Sequence, residues 1–537
     1  MATVYDVILI TADEYVDHPA NGVAIIKRVL EHNGFSVEVI SKPDWKKNDD
    51  FLKFGAPKLF FGITSGPVDS MLNNYTALKK ERTKEEYPDY NPMPDRAVTV
   101  YCNKIRELFS DSIIVIGGVE ASLRRFAHYD YWQNRVRKSI LLDTRADVLV
   151  YGNGEKQVIE IANRVKDNLT LIDSSGSEIS LKKKEKVDFS EILGTCIITK
   201  HLPEHVVMLP DFELVEKDDD ESKKKFCEME VLFSIEKNVA QKYDKKYVVQ
   251  YKYPIYVTSD LDLYYSFDYS RILPSHSQLH LAKFSITTHR GCIGRCNFCS
   301  IALHQGARII SRSEESILNE IRRITKHLEF NGIIEDIGGP SANMYGLETT
   351  HCGKNNCISC ENLDRSHSKL ISLLRMARVI PGVKKICIQS GIRYDLALHS
   401  KEYLEEISNH HIREYLMIAP EHFSSVVSNL MNKPSSRFDE FVNMFNHINV
   451  KTKKYLKYYF MVGHPGTTLE ENKILALKAK LLKHSDMTQI FTPTPMTIST
   501  CMYWTSMNPY TLEKVYVPYS YIEKKKQKNM ILIDKKD

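Results

Sequence analysis

Long apolar runs are missing from this chain. Its longest stretches, such as "IIVIGGV" from Ile113, fall well short of the roughly 20 residues needed to cross a bilayer. The N-terminus, "MATVYDVILITADEY", also lacks the basic start and long apolar centre of a secretory signal. Asp6, Asp13 and Glu14 bracket a short run that reads as a buried first strand. Charge of one sign is not in excess: 73 Lys and Arg stand against 68 Asp and Glu, a formal net charge of +5. Near balance gives no case for a protein that coats nucleic acid or a membrane surface. These absences predict a cytoplasmic globular protein. Hydrophobic residues at 43% and 537 residues in all give room for two or three packed domains.

What the chain does have is cysteine, eleven in all. An odd number in a reducing compartment argues against a disulfide framework. Clustered cysteines then point to metal and scattered ones to packing. Cys102, Cys196, Cys227, Cys387 and Cys501 are scattered; the other six form two clusters.

From Tyr5 the pattern alternates strand and helix. "YDVILIT", "FSVEVIS", "KLFFGIT", "SIIVIGGVE" and "DVLVYGNGE" read as strands, with amphipathic segments such as "GVAIIKRVLEHNG" between them. That alternation predicts a doubly wound α/β domain over residues 1–157, with ligand-competent turns at the strand ends. Residues 158–282 lose the pattern and carry mixed charge runs, "LKKKEK" and "EKDDDESKKKF". They read as a charged connecting insert. From Lys283 the alternation returns with longer helices. Six strand patterns, "KFSITTH", "GIIEDIGG", "VKKICIQS", "REYLMIAPEH", "KYYFMVGH" and "TQIFTPTP", predict a (β/α)6 partial barrel over 283–510, its site at the carboxyl ends of the strands. A lysine-rich tail, 511–537, follows.

The first barrel strand runs into "HRGCIGRCNFCS", which places Cys292, Cys296 and Cys299 on one tight loop. Three thiolates suit three corners of a [4Fe–4S] cluster and leave one iron without a protein ligand. Structural zinc would want a fourth ligand, His289 or His304, and a more usual spacing than C-x3-C-x2-C. A second cluster, "THCGKNNCISCENLDRSH", adds Cys352, Cys357 and Cys360, with His351 and His367 nearby. It reads as a candidate second metal site, zinc or iron–sulfur. Its polar loop offers the thiols no apolar neighbour beyond Ile358.

The cysteine loop, with Phe298 before its last cysteine, resembles the radical S-adenosylmethionine (SAM) superfamily. In that superfamily SAM chelates the open iron, and an electron from the cluster cleaves it to a 5′-deoxyadenosyl radical that abstracts hydrogen from a substrate. The resemblance implies a reductant partner such as flavodoxin or ferredoxin. It also implies that Phe298 belongs to the cofactor-binding set. "DIGGPSANMY" is similar to the superfamily's SAM amino-group motif through Gly338 and Gly339, with Pro340 in place of the usual Glu. "IQSGIRYD" resembles the strand end near ribose and carboxylate, with Ser390 and Arg393 as candidates. "YFMVGHPGTT" resembles the Gly motif behind adenine, through Gly463. "ITADEYVDHPANG", "GGVEASLRRFAHYDYW" and "RGCIGRCNFCSIALHQGARIISRS" narrow the match to the YgiQ-type radical SAM family, whose members often continue beyond this length.

The first domain resembles the cobalamin-binding-like domain that precedes many radical SAM barrels. Cobalt-ligating domains of that type use Asp-x-His-x-x-Gly, whereas Asp17, His18 and Gly22 miss the spacing, which argues against bound cobalamin. A competing reading is a metal-stabilised module that binds RNA or protein without SAM chemistry. It rests on the basic patches "LRRFAHYDYWQNRVRK", with Arg124, Arg125, Arg135 and Arg137, and "KKKQK". Near-neutral charge weakens its RNA arm, and the substrate of the enzyme reading has no signature in the sequence.

Overall fold

Val7–Thr11 form strand β1, buried at every position, as a parallel strand covered on both faces requires. The computed structural model describes residues 4–87, 90–173, 187–274, 277, 282–348, 357–482 and 487–532. Two units are distinguished: Met1–Ile255 with Thr494–Met496, and Tyr256–Pro493 with Thr497–Asp537.

In the first unit β1 pairs in parallel with β2 (Val37–Ser41) and with β3 (Phe60–Thr64), Val7 lying opposite both Val37 and Phe60. Next to β3 lies β4 (Ile113–Ile116); a small hairpin, β5 (His128–Asp130) and β6 (Arg135–Arg137), follows in sequence, and then β7 (Val148–Val150) beside β4. The order β2-β1-β3-β4-β7 is a doubly wound sheet whose switch point falls between β1 and β3. The helix Gly22–His32 starts where the Asn21 side chain accepts the Val23 and Ala24 N–H groups.

The stretch expected as a connecting insert belongs to this sheet. The helix Glu155–Asp173 spans the expected boundary. Beyond it β8 (Thr195–Thr199), β9 (Val207–Met208), β10 (Val239–Tyr243) and β11 (Lys246–Gln250) extend the sheet in the order β7-β8-β11-β10-β9. Ile197, Ala240 and Val249 share one core with Val115, Val148 and Val150. Charged surface segments such as the helix Asp220–Leu232 dilute that apolar signal in the sequence. The "LKKKEK" run lies outside the described residues.

The second unit opens with β12 (Ile286–Thr287), followed by the ribbon of β13 (His289–Arg290) and β14 (Ile310–Ser311). Then come β15 (Ile333–Ile334), β16 (Ile337–Gly338), β17 (Lys385–Ile386), β18 (Tyr415–Glu421), β19 (Tyr455–Val462) and β20 (Met487–Ile490). Parallel pairing runs in chain order: β12 with β16, β15 with β17, Ile392 bridged to Ile418, β18 with β19 and β19 with β20. This is the six-position parallel series of a partial barrel. Leu456, Tyr458, Phe460 and Val462 of β19 pack outward on Phe438, Phe441 and Phe445. The alternate residues Tyr455, Lys457, Tyr459 and Met461 stay half exposed on the inner face.

The expected lysine-rich tail is largely a helix, Tyr521–Leu532. Its Lys524, Gln527 and Ile531 are buried. Gln527 accepts the Gly463 N–H at 2.9 Å and donates to Thr467 O at 2.8 Å, while Lys524 Nζ donates to the Tyr503 hydroxyl. Lys525 and Lys526 face water, which is why composition alone disguised the element. Among the described residues no helix is long and apolar enough to cross a membrane.

Candidate functional site

The loop after β13 carries the three thiols. Gly291 enters it at φ +87°, and a Cβ there would stand 1.8 Å from the Arg308 carbonyl oxygen, so only glycine fits. The Cys292 N–H donates to Gly306 O. A Cβ on Gly294 would meet Cys292 Sγ at 3.4 Å and Cys296 Sγ at 3.7 Å, so these two sulfurs flank one bare backbone position. Asn297 anchors the loop: its N–H donates to Met431 O, its Nδ2 to Leu430 O, and its carbonyl accepts from Ser499 N, each at 2.9 Å. All three cysteines are half buried and free.

Burial pushes the Cys299 thiol up to about 12, and Cys296 beside it adds to the push. Burial raises Cys292 as well, against opposition from the Gly294 N–H. Thiols held this way keep their protons at neutral pH unless a metal replaces them. Among the described residues no three His, Cys, Asp or Glu side chains are arranged to share a single metal ion. Three thiols on one loop match three corners of a [4Fe–4S] cluster. His289, named above as a possible fourth zinc ligand, is fully buried and held neutral, its pKa lowered by burial to about 3, with Nδ1 2.9 Å from Thr288 Oγ1.

Arg393, a candidate for the ribose and carboxylate side, directs its guanidinium elsewhere. Its Nη1 donates to Cys296 Sγ at 3.4 Å, and its Nε to Asp395 Oδ1 at 2.9 Å, with Nη2 on Asp395 Oδ2. Burial works against this charge, but Asp395 and then Cys296 outweigh it and the pKa rises. Asn343, fully buried in "PSANMY", fixes the residue through paired bonds: Arg393 N to Asn343 Oδ1 at 2.8 Å, and Asn343 Nδ2 to Arg393 O at 2.9 Å.

Gly338 and Gly339 are places of close approach. A Cβ on Gly338 would lie 2.7 Å from Ser390 Oγ, and one on Gly339 2.6 Å from the His289 ring. The glycine pair thus joins the ends of three neighbouring strands. Ser390 and Gln389 donate their N–H groups to Asp336 Oδ1 at 3.1 and 2.7 Å. Burial raises the Asp336 pKa, and those two bonds hold it partly back.

Along the opposite rim, Phe298 meets His464 edge-on with centroids 6.4 Å apart, and Lys433 Nζ sits 5.9 Å over the Phe298 ring. Lys433 pairs with Glu421 Oε1 at 2.9 Å. Glu421 closes β18 in the left-handed region at φ +63°, beside a break in register, a conformation that persists in an acid only where surroundings impose it. Burial holds His464 neutral, its pKa lowered to about 4, with Nε2 2.6 Å from Ser499 Oγ. A Cβ on Gly463 would meet the Lys524 stem at 3.4 Å, and the Gly463 N–H is already committed to Gln527. Asn297, Asp336, Asn343, Glu421 and Lys433 were not singled out by sequence. Their one signal was position, as polar residues at or after strand ends.

Of the second cysteine cluster, Cys352 lies outside the described residues. Cys357 and Cys360 form a turn, Cys360 N donating to Cys357 O at 3.2 Å, clamped by Arg365 on the carbonyls of Ile358 and Cys360. They do have apolar neighbours, contrary to expectation: with Cys292 and Ile358 they border a cluster of Ile293, Ile309, Met344, Leu347, Leu363 and Leu396. His367 stacks on Tyr403 and contacts Asn343.

In the first unit Asp17 is engaged by Arg28 and buried His18 accepts the Ala20 N–H on Nδ1. The expected basic patch is dispersed. Arg124 is buried on Asp69, and Arg125 is buried between the rings of Tyr151 and Phe233. Arg137 pairs with Asp143, leaving Arg135 exposed.

Residues 2–286 match the family described as Radical SAM N-terminal, and residues 286–477 the Radical SAM superfamily. A UPF0313 protein of Methanocella arvoryzae is 44% identical, over 97% of this chain and 89% of its own length. One of Clostridium botulinum (strain ATCC 19397 / Type A) is 41% identical, over 98% and 84%. Among solved structures, the radical S-adenosylmethionine methyltransferase TsrM from Kitasatospora setae, with cobalamin and a [4Fe-4S] cluster bound, superimposes with a TM-score of 0.52 at 15% identity. That match covers 92% of this chain and 77% of TsrM. At that identity the likeness is one of fold.

Proposed function

Because the chain belongs to the UPF0313 family of radical SAM proteins, we propose that it is a radical SAM enzyme in which Cys292, Cys296 and Cys299 hold a [4Fe–4S] cluster and leave one iron open to SAM. When bound, cluster and SAM supply reductive cleavage of the cofactor and hydrogen abstraction from a substrate. The observation that carries this reading is the gathering of three half-buried thiols on one loop at the carboxyl end of the first barrel strand.

The chain's own residues divide the remaining work. Gly338 and Gly339 let the backbone come close, and backbone carbonyls there would receive the SAM ammonium in place of the missing Glu. Asp336 and Ser390 offer acceptors beside them for the cofactor's polar groups. Phe298, backed by His464, shields the loop from water on its other flank. A one-electron donor of the flavodoxin or ferredoxin type is the expected partner. Cobalamin is not part of this reading, since Asp17, His18 and Gly22 miss the cobalt-ligating spacing.

The test is anaerobic reconstitution with iron and sulfide, followed by dithionite and SAM without substrate. Wild-type protein should release 5′-deoxyadenosine, and Cys292→Ala should release none. Zinc uptake at the loop with no SAM binding would sink the reading.

A further inference from the structure

Arg393 is a buried cation whose three guanidinium nitrogens each meet a partner. Nε and Nη2 form a fork on Asp395, and Nη1 is left for Cys296 Sγ at 3.4 Å. Its backbone is pinned on both sides by the Asn343 side chain, and the residue is only 8% exposed. A guanidinium held this firmly is not free to swing toward a cofactor carboxylate. The bare Gly294 is what lets it reach the sulfur, since a Cβ there would stand 3.1 Å from Nη1.

Hydrogen bonds to cluster sulfurs and nearby charge set how readily an iron–sulfur centre accepts an electron. A donor on a thiolate stabilises the reduced, more negative state, and a carboxylate on that donor moderates its charge. Resting on the cluster reading above, we infer that Arg393 is a positioning residue that eases one-electron reduction of the centre held by Cys296, and that Asp395 sets how strongly it does so. The electron comes from the external one-electron reductant; no bond is made or broken in the pair itself. Lys433, a second cation facing this loop, is paired with Glu421, whereas Arg393 reaches a loop sulfur directly.

The pair predicts opposite effects from its two halves. In full-length, anaerobically reconstituted protein, the cluster midpoint is read by EPR during a mediated dithionite titration. Arg393→Gln should make reduction at least tenfold less favourable, about 59 mV lower for one electron. Asp395→Asn should move the midpoint the other way. Wild-type protein grown with 15N-arginine should show a nitrogen coupling to the reduced cluster in pulsed EPR, absent in Arg393→Gln. Should Arg393→Gln take up no iron, the Asp395→Asn midpoint and the wild-type nitrogen coupling still decide.

Unchanged midpoints, shifts of the same sign in both variants, or no nitrogen coupling in a loaded wild type would overturn the inference while leaving the cluster in place. A wild type that assembles no four-iron cluster overturns the functional proposal itself, and this inference with it.

Discussion

Gly291 and Glu230 show how single positions govern this molecule. A methyl group on Gly291 meets the Arg308 carbonyl in a left-handed backbone, so Gly291→Ala costs at least ~1–3 kcal/mol of local strain and displaces the loop that starts there. We expect it to lose most iron and sulfide loading, measured per chain after reconstitution. Gly306→Ala, also at positive φ but with nothing within 4 Å, should retain far more. Glu230 is buried in the first unit, and burial pushes its pKa up to about 8, with Cys227 contributing and Arg125 opposing. The folded state therefore holds a proton that the unfolded chain releases above its ordinary value of 4.5. Stability from this group is fully present below pH 4.5 and is lost as pH rises through about 8. Glu230→Gln should flatten the fall in urea midpoint between pH 5 and pH 8. A parallel fall in the variant would refute the assignment.

Among the elements, the C-terminal helix carries the clearest dependence. Gln527 satisfies the Gly463 N–H and the Thr467 carbonyl at once. Gln527→Ala leaves both without that partner, at about 1–3 kcal/mol for each buried group. Denaturant unfolding should report that loss, whereas Lys526→Ala, exposed on the same helix, should stay within about 0.5 kcal/mol of wild type. The sequence showed which segments alternate, and so the five parallel strands of the first sheet and the six-strand series of the barrel were readable. It did not show β8–β10, whose short apolar runs are interrupted by charged surface segments. Nor did it show the last helix, whose buried face is built from Lys524, Gln527 and Ile531 rather than from a stripe of leucines. The cysteine loop was legible because its spacing is local. Arg393's attachment to Cys296 was not, because it joins residues 97 positions apart.

For the whole molecule, charge is near balance, and the burial of Arg124 and Arg125 takes away two of the four arginines on which the RNA-binding reading rests. A mobility shift with single-stranded RNA at low salt should show no retention that Arg135→Ala weakens; strong, salt-sensitive retention lost in that variant would revive the reading. One further consequence concerns the order in which the chain is made. Asn297 shapes the cysteine loop by bonds to Leu430 and Met431 and by accepting from Ser499. During synthesis those partners leave the ribosome long after the cysteines do. A nascent chain therefore presents three unrestrained thiols for the time it takes to translate through Ser499. Iron delivered in that interval meets a floppy three-thiol segment rather than a shaped site, and oxidants meet exposed sulfur. On the cluster reading proposed above, productive metallation belongs after translation, and the interval before it is when the cell must protect these cysteines.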